Sequence, residues 1–118
     1  MQGATTEQLT EEISDRFIDL MEEMTRHRPE GARVYFNDDL IVIAADRTLT
    51  RIEKALALKD AEAALDHRRR LQKALCARIS DMIEELTGKS VLGCLADHAV
   101  DPDIGIYTVI VDGPLPAS

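Results

Sequence analysis

The chain has 118 residues, 45% of them hydrophobic and 31% charged, with a formal net charge of −8. That length is near the mode for one domain and leaves no room for a second, and the hydrophobic fraction suffices for one modest core. The acidity opposes general binding to a phosphate backbone, no run approaches the roughly 18 to 20 apolar residues of a membrane span, and the polar stretch from Met1 to Glu12 is unlike a signal peptide. A cytoplasmic location without a nucleic-acid partner is therefore expected.

Leu9, Ile13, Phe17, Leu20, Met21 and Met24 recur at three- and four-residue spacing, which predicts one helix from about Thr6 to Arg26. Thr5 with Gln8 makes a capping box at its start, and Pro29 with Gly31 ends it. The runs Arg33 to Phe36 and Leu40 to Ala44, rich in β-branched and aromatic residues, flank the turn-forming Asn37-Asp38-Asp39 and predict a β-hairpin. The second run is apolar at every position, the pattern of a strand covered on both faces, by helices or by a partner chain.

Thr50 with Glu53 forms a second capping box and starts a short helix. Asp60 caps a restart, and residues 61–87 then run without proline or glycine to Gly88, placed to end the helix. The apolar stripe of this long helix is Leu71, Leu75, Ile79, Met82, Ile83 and Leu86. At 1.5 Å per residue it is roughly 40 Å long, about as long as such a domain is wide, so part of it is expected to pack against a second chain in a symmetric homodimer.

Ser90 to Ala96 and Ile104 to Val111, joined by Asp101-Pro102-Asp103, predict a second hairpin, and residues 113–118, with two prolines, a short disordered tail. The expected architecture over residues 1–112 is a single α+β domain. It comprises an N-terminal helix, a hairpin, a short and a long helix and a second hairpin, with a four-stranded, mostly antiparallel sheet packed by helices.

Cys76 and Cys94 lie in apolar periodic segments without CxxC or zinc-type spacing, so buried free thiols are expected rather than a disulfide. Cys94, Asp97, His98, Asp101 and Asp103 are metal-ligand residue types in a short span. A strand running into an irregular loop does not converge ligands at about 2.0 to 2.3 Å, and no metal or other cofactor is expected. Nucleophile elbows, phosphate loops and paired-carboxylate motifs are lacking, and Asp97 and His98, as neighbours on a strand, point to opposite faces, so no catalytic residue is assigned. Phe17, Tyr35, Phe36 and Tyr107 are the only aromatic residues, too few for base-stacking platforms, which leaves a mainly aliphatic core.

The distinctive charge feature is His67-Arg68-Arg69-Arg70, followed by Lys73 and Arg78, in an otherwise acidic chain; Arg26-His27-Arg28 is a second, smaller basic group. On a helix Arg69 and Lys73 share a face, as do Arg70 and Lys73, whereas Arg68 is nearly opposite Arg70, so the block wraps the helix. Arginine forks suit carboxylates, phosphates and acidic surfaces, which makes Arg26, Arg28, Arg68, Arg69, Arg70 and Lys73 the candidate partner- or anion-binding residues. The plainer reading of the block is a solvated helix face paired with the acidic first helix.

The order of these segments carries a resemblance, with Asp38-Asp39-Leu40-Ile41-Val42 in the first hairpin, Leu49-Thr50 with Glu53, and Glu85-Leu86-Thr87-Gly88-Lys89 before the last strands. From Glu11 to Val111 the chain resembles the small bacterial family MpsC, named for a Na+-translocating, membrane-potential-generating system. The resemblance implies a cytoplasmic accessory protein of a membrane assembly that handles ions or inorganic carbon, and it brings no catalytic residue with it. The function expected is a non-enzymatic dimeric interaction module whose basic helix face meets a partner. The alternative is a small-anion or metabolite sensor with a basic pocket between subunits.

Overall fold

Local sequence signals set the helix ends. In the computed structural model, which describes residues 5–116, helix α1 spans Thr6–Thr25 behind the Thr5/Gln8 capping box and ends at Arg26, which adopts the left-handed conformation (φ 61°). Strands β1 (Gly31–Asn37) and β2 (Leu40–Asp46) follow, joined by a tight turn at Asp38 and Asp39. Thr50 and Glu53 exchange the expected pair of bonds at the head of α2 (Arg51–Lys59), and the Asp60 carboxylate accepts from the Ala63 amide to start α3 (Ala61–Thr87). Gly88 stops α3 at φ 73°, where any side chain would be strained. The second hairpin is β3 (Val91–Ala99) and β4 (Ile104–Val111). β3 runs three residues beyond its expected end at Ala96, which brings His98 into the sheet.

The fold is α+β, as expected: one antiparallel four-stranded sheet in the order β1-β2-β4-β3, with β2 and β4 inside. Both long helices pack on one face of it. The core there joins Ile13, Phe17, Leu20 and Met21 of α1 with Leu75, Ile79, Met82 and Ile83 of α3, over Ile41, Ile43 and Ala45 of β2 and Tyr107, Val109 and Val111 of β4. It is aliphatic apart from an edge-to-face pair at its centre, Phe17 and Tyr107, with ring centroids 5.2 Å apart. At the end of the sheet His98 pairs with Gly105, where a Cβ would come within 3.0 Å of the imidazole Nδ1, so glycine makes room for the ring.

Three expectations meet a different structure. Most of the α3 stripe is buried by the chain itself, from Ala64 through Arg68, Gln72, Leu75, Ile79 and Met82 to Ile83, with Leu71 and Leu86 half-buried. This is because α2 folds back across Asp60 onto its first half and α1 with the sheet covers the second. The length of α3 therefore gives no reason by itself for a second chain. Cys76 and Cys94, expected as free thiols, form a disulfide that ties α3 to the edge strand β3, with their Cα atoms 5.7 Å apart. The reversal at Gly88 brings them together, and no spacing motif announces such a reversal. In the stretch read as a tail, Leu115 is buried against the core and its amide donates to the Asp38 carbonyl; residues 117–118 lie outside the described residues. Among the described residues no helix is long and apolar enough to cross a membrane.

Candidate functional site

The most concentrated group of polar side chains is a buried knot where the β2–α2 connection, α3 and the β3–β4 hairpin meet. Arg68 sits on the buried stripe because Ala64, Arg68, Gln72 and Leu75 follow one another at four- and three-residue steps. Its guanidinium is fully buried, and Nη2 donates to Glu53 Oε1 at 2.5 Å and to the Thr48 carbonyl at 2.7 Å. Glu53, also buried, accepts from the Thr50 amide and lies 3.0 Å from His67 Nδ1, so one carboxylate serves both the helix cap and the ion pair. Burial pushes the Glu53 carboxyl up, but the Thr50 amide and Arg68 together outweigh it and hold the group below its usual range.

Asp103 forms the second half of the knot. Its carboxylate accepts from the amides of Thr48 and Leu49 and lies 2.9 Å from His98 Nε2. A carboxylate can only accept, so Nε2 is the donor. Burial, and then Arg68, depress the His98 pKa against the pull of Asp103, which favours the neutral ring and leaves Nδ1 without a protein partner. Arg68 Nε and Nη1, Gln72 Oε1 and Thr48 Oγ1 likewise lack protein partners. Chemically the knot is a clamp. The Arg68–Glu53 charges are out of reach of solutes, and together with Asp103 they fix the α2–α3 hairpin to the end of the sheet.

The structure separates the basic candidates. Arg68, read as part of a surface block, is the largest fully buried side chain, and its face of α3 is covered by α2 and the sheet. The signal was present: followed upstream from Leu75, the apolar stripe runs through Arg68 to Ala64. Arg69 pairs with Asp97 of β3 at 3.1 Å and Arg28 with Asp19 and Glu22 at 3.1 and 2.8 Å. Arg78 reaches Glu23 of α1 at 3.4 Å, the pairing with the acidic helix that the plainer reading expects, whereas Arg69 turns to the sheet instead. Arg26 is exposed at the end of α1, and Arg70 and Lys73 are exposed on α3. Asp97 and His98 point to opposite faces, as strand geometry requires, so no acid–base pair forms between their side chains. Among the described residues no group of three or more histidine, cysteine, aspartate or glutamate side chains is arranged to hold a metal ion.

The pattern of β2 predicts cover on both faces, but within the chain only one face of the sheet is packed by helices. No helix of the described residues lies over the other. The register places Tyr35, Val42, Thr108 and Leu95 in one row across all four strands, with Leu40 and Ile110 in the next row and Ala44 and Ile106 on the other side. Tyr35 is 54% exposed and Leu95 74% exposed, and Ile106 and Ile110 are each nearly two-fifths exposed. Charge appears only toward one end, where Arg33 and Asp97 close the Ala44–Ile106 row on the two edge strands and Arg33 pairs with Asp46 of the next row at 3.2 Å.

Comparison with curated proteins and with solved structures gives no match. A family model does match, over residues 5–113 and thus through the knot, both hairpins and all three helices. It is described as the Na+-translocating membrane potential-generating system (MpsC), and the chain belongs to that family.

Proposed function

We propose that the chain is a non-enzymatic, self-associating accessory protein on the cytoplasmic side of a membrane assembly that handles ions or inorganic carbon. The observation that carries this reading is the uncovered apolar face of the sheet. A chain of net charge −8 repels its own copies, so self-association needs a surface with a charge-free centre, and this face supplies one. Its register is also self-complementary. Arg33 and Asp97 end the same row on opposite edges, so a two-fold axis parallel to the strands sets Arg33 of one copy, paired in its own chain with Asp46, against Asp97 of the other, paired with Arg69, and joins the two ion pairs into one network. Four strands of about seven residues give a face of about 19 by 24 Å. That is small by the standards of stable pairs and favours reversible association.

The exposed cations Arg26, Arg70 and Lys73 remain for an acidic partner surface within the assembly. The anion-sensor alternative gains no support, since Arg68 is sealed and Arg28 and Arg69 are already held by carboxylates. Sedimentation equilibrium over micromolar concentrations tests the self-association: the apparent mass is expected to rise toward two chains, and Leu95→Asp with Ile106→Asp to hold it at one. A wild-type mass fixed at one chain throughout overturns the reading of this face. For the accessory role, the tagged chain should capture an integral membrane component from detergent-solubilised host membranes, with loss of capture in Arg70→Ala/Lys73→Ala. Recovery of nothing but the chain itself counts against that role.

A further inference from the structure

The disulfide lies at the margin of the core rather than inside it. Cys76 and Cys94 are both half-buried, pack against the periphery of the apolar cluster, and line a solvent-open groove of about 400 Å³ with Arg69, Gln72, Lys73, Leu95 and Ala96. A bridge that an incoming thiolate can reach is exchangeable, whereas one sealed in a core is not. The groove is also cationic on the α3 side. Lys73 is one turn before Cys76 and forms no ion pair among the described residues, while Arg69, a further turn back, is held by Asp97. A thiolate beside a lysine ammonium is favoured over the thiol, and a favoured thiolate is the better leaving group.

We infer that Cys76 and Cys94 form a thiol–disulfide exchange site whose substrate is a dithiol reductant. One thiolate of the dithiol attacks Cys94 Sγ; the new S–S bond forms there as the Cys76–Cys94 bond breaks, and Cys76 leaves as a thiolate beside Lys73. The second thiol of the reductant then loses its proton and attacks its own partner sulfur, closing the reductant's disulfide and releasing Cys94 as a thiolate. Two electrons pass to the protein. The two protons released by the dithiol balance those taken up by Cys76 and Cys94, so the reductant is oxidised by as much as the protein bridge is reduced. The edge strand β3 is then free of its covalent tie to α3 while its pairing with β4 remains. The site does not depend on the self-association proposed above.

The test uses the full chain purified without reductant, with dithiothreitol as the probe dithiol and maleimide labelling read by intact mass. No label is expected before treatment and two labels per chain after it, in native buffer and with an unchanged circular dichroism spectrum. Two reactive thiols in the untreated, air-exposed protein would overturn the inference, as would a bridge that opens only after denaturant is added. Lys73→Met is expected to slow the reduction severalfold at low salt and to flatten the dependence of its rate on salt. An unchanged rate and salt dependence in that variant overturns the assignment of Cys76 as the leaving group.

Discussion

Arg68→Met isolates what the buried ion pair does. The substitution keeps most of the side-chain volume but strands the Glu53 carboxylate, whose side chain is 1% exposed, without its counter-charge. Breaking a buried pair on one side costs about 3 to 5 kcal/mol, which in a chain of this size lowers the melting temperature by roughly 12 to 20 °C. The pH dependence should also weaken. In the wild-type chain the Glu53 carboxyl lies below its ordinary value of 4.5, so the unfolded state takes up its proton first. The contribution is full above that value and lost as pH falls through the lower folded value. In the variant the Thr50 amide and His67 still pull against burial but Arg68 does not, so the carboxyl rises from its wild-type position and less stability is lost on acidification. Urea melts followed by circular dichroism over a pH series measure both effects. Glu53→Gln combined with Arg68→Met should recover much of the loss, since no charge is then left unpaired. A single variant that melts within about 1 kcal/mol of wild type, or keeps the wild-type pH slope, would refute the account of the knot as a clamp.

Two further outcomes follow from neighbouring features. Replacing both cysteines by serine releases a cross-link between residues 18 apart, which costs about 3 kcal/mol on the loop-entropy account, so the melting temperature should fall by roughly 10 °C and lose any response to dithiothreitol. His98 has a folded pKa below its ordinary 6.5, so below that value the unfolded chain binds a proton that the folded chain does not, and stability declines as pH falls until the folded value is reached. His98→Gln, which keeps a donor for Asp103, should flatten that decline in urea melts from just below pH 6.5 downward.

Much of the architecture was legible because its determinants are local. Thr5 with Gln8 and Thr50 with Glu53 satisfy orphan amides three residues away, and Asp60 and Gly88 bound α3 by their own backbone and side-chain preferences. The unbroken apolar run from Leu40 to Ala44 marks an interior strand, which β2 is; its Ile41 and Ile43 enter the core, while Leu40, Val42 and Ala44 face the side of the sheet that no described helix covers. Glu53 was legible as a cap but not as the counter-ion of Arg68, because the first role spans three residues and the second fifteen. Asp103 stood out only as one of several polar residues near His98, with nothing to point to its role in the knot. It reads as a turn residue, and only the closure of the sheet carries it to the amides of Thr48 and Leu49, more than fifty positions back.

By itself the sequence determined which segments form helices and strands and where the helices are capped, that the class is α+β, and which family pattern the chain follows. The tertiary structure alone decided the strand order β1-β2-β4-β3, the burial of Arg68, the meeting of Cys76 with Cys94 and the bare second face of the sheet. The division has a physical cause. Capping, periodicity and turn chemistry are settled within a few residues of the chain, whereas burial is settled by what folds over a surface. Here α2 closes over one end of α3, while no described element closes over the outer face of the sheet.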